Sequence, residues 1–127
     1  LPGTTPRVLL TTLPGEPHGL GLLMAEAVLA LEGVACVSLG VQTPERDIVG
    51  AAEALKVQIV ALGFSGCLNL KQMLDGLTEL RRELPPSVHL WAGGSTPGLN
   101  RRPIDGVTVL ATLAQIPLEL RPRRAGA

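Results

Sequence analysis

Apolar positions along the chain fall into short continuous runs that alternate with longer stretches at helical spacing. Residues 7–12 (RVLLTT) form a first strand-like run, ended by Pro14-Gly15. Residues 20–32 carry apolar residues at i, i+3 and i+4 and stop at Gly33, a residue suited to the position just past a helix. A second strand spans 34–39 and closes at Gly40. Thr43 and Pro44 read as the N-cap and first residue of a helix that reaches about residue 55. Residues 57–63 (VQIVALG) are almost continuously apolar, the signature of a central parallel strand covered on both faces. A third helix is predicted over 70–84, stopped by Pro85-Pro86. A fourth strand over 88–92 runs into Gly93-Gly94. A fifth strand over 106–110 follows a Gly/Pro/Asn-rich segment and leads to a short helix over 111–114.

Strands and helices in alternation predict an α/β domain with a right-handed, doubly wound parallel sheet of five strands. The expected strand order is 2-1-3-4-5, the flavodoxin-like (Rossmann-like) arrangement. Ligands of such sheets sit beyond the carboxyl ends of the strands, at the switch between the first and third. At 127 residues the chain is one domain with room for one real core. Residues 1–6 read as a linker, 7–118 as the domain and 119–127 as a C-terminal tail, whose Arg121-Pro122-Arg123-Arg124 run reads as a frayed, solvated terminus. The linker-like start marks the chain as a fragment of a multidomain protein.

Eleven basic and eleven acidic residues give a formal net charge of +0, so nothing electrostatic favours nucleic acid or an anionic membrane. No apolar run reaches the length of a membrane span and no signal peptide is recognisable, which reads as a cytoplasmic protein. Phe64 and Trp91 are the aromatics, too few for a base-stacking surface or a flavin's usual shelves.

The loops at the carboxyl edge carry the candidate chemistry. A phosphorelay receiver needs carboxylates after the first strand and an aspartate after the third; Thr11-Thr12-Leu13 and Phe64-Ser65-Gly66 stand there instead. A phosphate-cradling loop needs a Gly-Lys-Ser/Thr ending, and the loop at 15–21 has no lysine. The dinucleotide fingerprint breaks at Met24, where its third glycine belongs. His18, His89, Cys36 and Cys67 form no close-spaced pair along the chain, which argues against zinc.

What remains is Glu16-Pro17-His18-Gly19-Leu20-Gly21. Pro17 biases Glu16 to extended geometry, and residues two apart in an extended segment share a side. Glu16 can therefore hold one imidazole nitrogen of His18 and leave the other for a metal. Gly19 and Gly21 cost a helix start stability, which makes sense if something bulky approaches the backbone. A solvated loop histidine beside incidental glycines is the plain alternative.

Glu16-x-His18-x-x-Gly21, then Ser65 after the third strand, then Gly93-Gly94 after the fourth, resembles the motif set of cobalamin-binding domains. These occur in methionine synthases, corrinoid methyltransferase carriers, acyl-CoA mutases and light-sensing regulators with MerR-type DNA-binding domains. The resemblance covers residues 5–118. It implies adenosyl- or methylcobalamin as cofactor, with His18 replacing the dimethylbenzimidazole as lower axial ligand of the cobalt. It implies cofactor contacts from Glu16, Pro17, His18, Gly19, Leu20, Gly21, Ser65, Cys67, Leu68, Gly93, Gly94 and Ser95. The displaced nucleotide tail would enter a slot walled by Ser65 and Leu68, with Gly93-Gly94 letting it pass. Two departures stand out: Glu16 replaces the family's usual aspartate, and Leu68 falls one residue late, behind Cys67, which reads as a small buried residue rather than a reactive thiol. The Glu-x-His form is most similar to the light-sensing regulators. The implied role is a sensory module that is not itself an enzyme, acting on DNA only through a separate N-terminal domain, with a homo-oligomer in the full-length protein. A carrier domain of a methyltransferase or mutase, and a structural module without cofactor, are the alternatives.

Overall fold

The computed structural model describes residues 6–94, 98 and 103–125. Strands β1 (Val8–Thr11), β2 (Cys36–Ser38), β3 (Ile59–Phe64), β4 (His89–Gly94) and β5 (Val107–Leu110) alternate with helices α1 (Leu20–Leu31), α2 (Glu45–Leu55) and α3 (Leu70–Glu83), and α4 (Gln115–Ala125) follows β5. The strands form one parallel sheet in the order β2-β1-β3-β4-β5, the flavodoxin-like order expected. Order reverses between β1 and β3, so their carboxyl ends open the crevice where the loops at 12–19 and 65–69 meet.

Alternation along each strand divides the core between the two faces of the sheet. Leu9, Val60, Leu62 and Leu90 point to one side, where Ile48 and Ala52 of α2 and Met73, Leu77 and Leu80 of α3 cover them. Val8, Leu10, Ile59 and Trp91 point to the other, covered by Leu22 and Leu29 of α1 and Ile116 and Leu120 of α4. β3 lies between β1 and β4, which is why its sequence has no polar face. The helix ends follow local rules. Gly33, at φ +73°, ends α1, and an Asn69–Gln72 capping box starts α3.

Four sequence expectations differ from the structure. Pro44, not Thr43, is the N-cap of α2, because the Thr43 hydroxyl is spent on the buried Thr11 hydroxyl 2.7 Å away. Gly93-Gly94 continue β4, pairing with Gly63 and Phe64, beyond the predicted strand end at 92. Residues 111–114 are turns, and the helix comes after them. That helix runs to Ala125 instead of fraying, and anchors by Ile116 and Leu120, 4% and 0% exposed. Helix α1 is apolar on its outer side too, with Leu20, Leu23 and Leu31 largely exposed.

Candidate functional site

The loop after β1 is built around Thr12 and Glu16. The buried Thr12 hydroxyl donates to the Glu16 carbonyl at 2.7 Å and accepts the Gln42 N–H at 2.8 Å, tying the loop to the segment after β2. A turn closes between the Leu13 carbonyl and the Glu16 N–H at 3.0 Å. Gly15 occupies the left-handed region at φ +92°, directly over Leu68, whose Cδ2 lies 2.8 Å from where a Cβ would stand. The outcome is a Glu16 side chain folded inward, with 0% of the residue exposed.

A buried carboxylate needs donors on both oxygens. Glu16 Oε1 accepts the Ser65 N–H at 2.7 Å, and Oε2 accepts the Ser65 hydroxyl at 2.7 Å and the His18 N–H at 3.2 Å. His18 Nδ1 lies 3.2 Å from the same Oε2. Burial pushes the Glu16 carboxyl up, but hydrogen bonds from the Ser65 hydroxyl, the Ser65 N–H and the His18 backbone and ring outweigh it and hold the group below its ordinary value. The ionised carboxylate therefore accepts a hydrogen bond from His18 Nδ1–H, and the ring's geometry puts Nε2, with its lone pair, on the opposite side. The His18 side chain is 60% exposed and stands at the mouth of the crevice.

Behind it lies a cavity of about 580 Å³ between α1, α4 and the sheet. Leu10, Leu22, Leu29, Ala61, Trp91 and Ile116 line its depth, while Ser65, Thr112 and His18 are its polar lining residues. Leu20, Gly21, Gly93 and Gly94 line it as well. A Cβ on Gly21 would meet nothing within 4 Å, so the chain itself does not require a glycine there.

The structure thus gathers Glu16, His18 and Ser65, and lines one cavity with His18, Leu20, Gly21, Ser65, Gly93 and Gly94. Four of the expected contact residues have structural surroundings of their own. Leu68 does not wall the cavity; it is buried under Gly15 in the core on the α2–α3 side. Cys67 is exposed, not buried, with Sγ 3.3 Å from His18 Nδ1. That contact also removes the ground of the argument against zinc from spacing along the chain. Gly94 is dictated by the sheet: at φ +129°, a Cβ would fall 1.8 Å from the Phe64 carbonyl oxygen. Gly19 answers to Val41, 3.1 Å from its absent Cβ. Pro17 is exposed, and Ser95 lies outside the described residues. Sequence reasoning missed Thr12, whose signal was a polar pair, Thr11-Thr12, closing an otherwise apolar strand.

A family model described as the B12 binding domain matches residues 6–108. The HTH-type transcriptional repressor CarH of Myxococcus xanthus is 34% identical over 87 residues, covering 68% of this chain and 29% of that repressor. The structure of the Methanosarcina barkeri monomethylamine corrinoid protein matches with a TM-score of 0.70 at 24% identity, over 91% of this chain and 57% of that one. The methanol:cobalamin methyltransferase complex MtaBC of the same organism matches at 0.78 with 17% identity, over 100% and 49%. The two structural likenesses show the fold.

Proposed function

This chain belongs to the B12-binding domain family, and from that premise we propose that it binds cobalamin base-off, with His18 Nε2 as the lower axial ligand of the cobalt. The observation that carries this reading is the convergence of Glu16 and Ser65 on the far nitrogen of an exposed histidine at the mouth of a deep apolar cavity. The donor set fits the group. A neutral imidazole with a carboxylate behind it is a stronger σ-donor than a free one, and its orientation is fixed before the metal arrives. The cavity fits the displaced nucleotide: it is apolar in depth, polar at the rim, and opens beside His18.

The cobalt–carbon chemistry is the cofactor's; the protein binds and orients. Glu16 keeps the proton on Nδ1. Ser65 keeps Glu16 ionised and aimed. Gly21, exposed at the start of α1, leaves room for the corrin edge. We assign the whole a sensory role in transcription control rather than catalysis. It is supported by the 34% identity to CarH over 87 residues, and by Glu16 being committed to His18 rather than available as an acid or base. Contacts to DNA, light sensitivity and assembly would then belong to the full-length protein, of which CarH has more than three times the matched length.

The test is the visible spectrum of the protein with hydroxo- and adenosylcobalamin, beside His18→Ala. Wild type is expected to show a histidine-ligated, base-off spectrum. The variant is expected to lose that signature and to bind at least ~10-fold more weakly, the lower bound for disturbing a metal's ligand set. Identical spectra and affinities would overturn the assignment.

A further inference from the structure

The cobalamin-domain resemblance gives Cys67 a place among the cofactor contacts but no ligand role, yet its thiol faces the same histidine nitrogen as Glu16. Sγ lies 3.3 Å from His18 Nδ1, and Glu16 Oε2 lies 3.2 Å from the same nitrogen. The ligand atoms of Glu16, His18 and Cys67 all fall within 4.8 Å of one another. Tetrahedral zinc, with bonds of about 2.0–2.3 Å to nitrogen, oxygen and sulfur, needs its ligand atoms roughly 3.3–3.6 Å apart. The Nδ1–Oε2 and Nδ1–Sγ separations of 3.2 and 3.3 Å are already close to those of a ligand shell.

We propose that Glu16, His18 and Cys67 form a binding site for a thiophilic divalent cation of the zinc class, held by a carboxylate oxygen, Nδ1 and Sγ. The ligand set is of mixed hardness, as such ions accept, and three protein ligands leave a fourth position for water. The carboxylate is held by the Ser65 N–H and hydroxyl, the outer support that ligating groups need. Cys67 and His18 are exposed, so an ion reaches them from solvent, while the buried Glu16 supplies negative charge from below. On binding, the Cys67 thiol forms a bond to the cation and releases its proton. The ring proton moves from Nδ1 to Nε2, and the carboxylate enters already ionised. One proton leaves per cation bound.

A consequence, which rests on the corrinoid reading, is exclusion. With the cation on Nδ1, Nε2 carries the proton and has no lone pair for cobalt. Zinc and corrinoid would then compete for one histidine from its two sides.

The test uses metal-free, reduced protein without corrinoid. Cadmium titration should give one thiolate-to-metal charge-transfer band at one equivalent, and zinc should displace it. Cys36→Ser should keep the band, because burial first, and then the charge of Glu26, pushes that thiol up to about 11. Cys67→Ser should lose the band and weaken zinc binding by at least the ~100-fold that even an outer partner can cost; His18→Ala should weaken it similarly. Unchanged zinc affinity in Cys67→Ser, or a band that follows Cys36, overturns the site. In a second arm, saturating zinc should lower the apparent hydroxocobalamin affinity of wild type. Unchanged affinity overturns the exclusion. Failure of zinc-free wild type to bind corrinoid would instead refute the reading of His18, on a measurement separate from the cadmium band.

Discussion

Glu16 is a carboxylate shut off from solvent, with a full set of protein donors. Its folded-state value lies below the ordinary one, so the stability it contributes is complete above the unfolded value of ~4.3 and disappears as pH falls through the lower, folded value. Urea midpoints measured from pH 6 down to pH 3 should therefore fall more steeply in wild type than in Glu16→Gln. At neutral pH the glutamine variant should be less stable by about 1–3 kcal/mol, the usual cost of leaving a buried donor poorly matched. A parallel pH dependence in the two proteins would mean the carboxylate is not held as described. The paired glycines separate in the same residue-by-residue way. Gly94→Ala forces a Cβ into the Phe64 carbonyl and should cost several kcal/mol, at the upper end of what single substitutions do (above about 4). Gly93→Ala meets Leu110 at 3.5 Å, ordinary contact, and should leave thermal stability close to wild type. Only Gly93 can therefore test passage of a ligand without testing the sheet.

At the scale of the element, α1 is the informative one. Its inner side is fixed by Leu22 and Leu29, while its first turn offers the cavity rim Leu20, Gly21 and Met24. A glycine inside a helix costs up to ~1 kcal/mol relative to alanine. Since a Cβ on Gly21 is unopposed, Gly21→Ala should match or raise the melting temperature. Gly21→Leu should fold equally well and yet weaken cobalamin binding, by at least 10-fold if the corrin edge rests there. Wild-type affinity in the leucine variant would leave the glycine without a ligand-based reason. The Asn69-x-x-Gln72 capping box of α3 is local, whereas the N-cap of α2 shifted from the expected Thr43 because Thr43 is diverted by a partner from β1 that lies 32 residues away.

At the scale of the whole molecule, the cavity is roofed by elements from both ends of the chain, α1 and α4, over β1, β3, β4 and β5. Its lining is mostly aliphatic, with Phe64 and Trp91 as aromatic members, so the base of a corrinoid's nucleotide tail that enters it must part with water there. Each unpaired polar atom buried in this way costs ~1–3 kcal/mol. Cobalamin, whose benzimidazole has few polar edges, should bind at least 10-fold more tightly than the corrinoid carrying adenine in its place. Cobinamide, which lacks the tail, should be the weakest. Equal affinities in isothermal titration would show that the tail stays outside. Among the described residues no helix is long and apolar enough to cross a membrane.

Local chemistry determined much of this protein in the sequence itself. Apolar runs against helical spacing specified five strands and three of the helices, since period and punctuation are short-range properties of the chain. The same holds for Glu16 beside His18: two residues in extended backbone must share a side. Tertiary structure decided what depends on partners distant in sequence. Ser65 reaches Glu16 across 49 residues, Cys67 reaches His18 across the same span, and Gly94 answers to Phe64 on the neighbouring strand. The last helix could not be seen before its anchors, because Pro117 and Pro122 argue against a helix locally, while Ile116 and Leu120 gain their stabilisation only from a sheet face that folding creates.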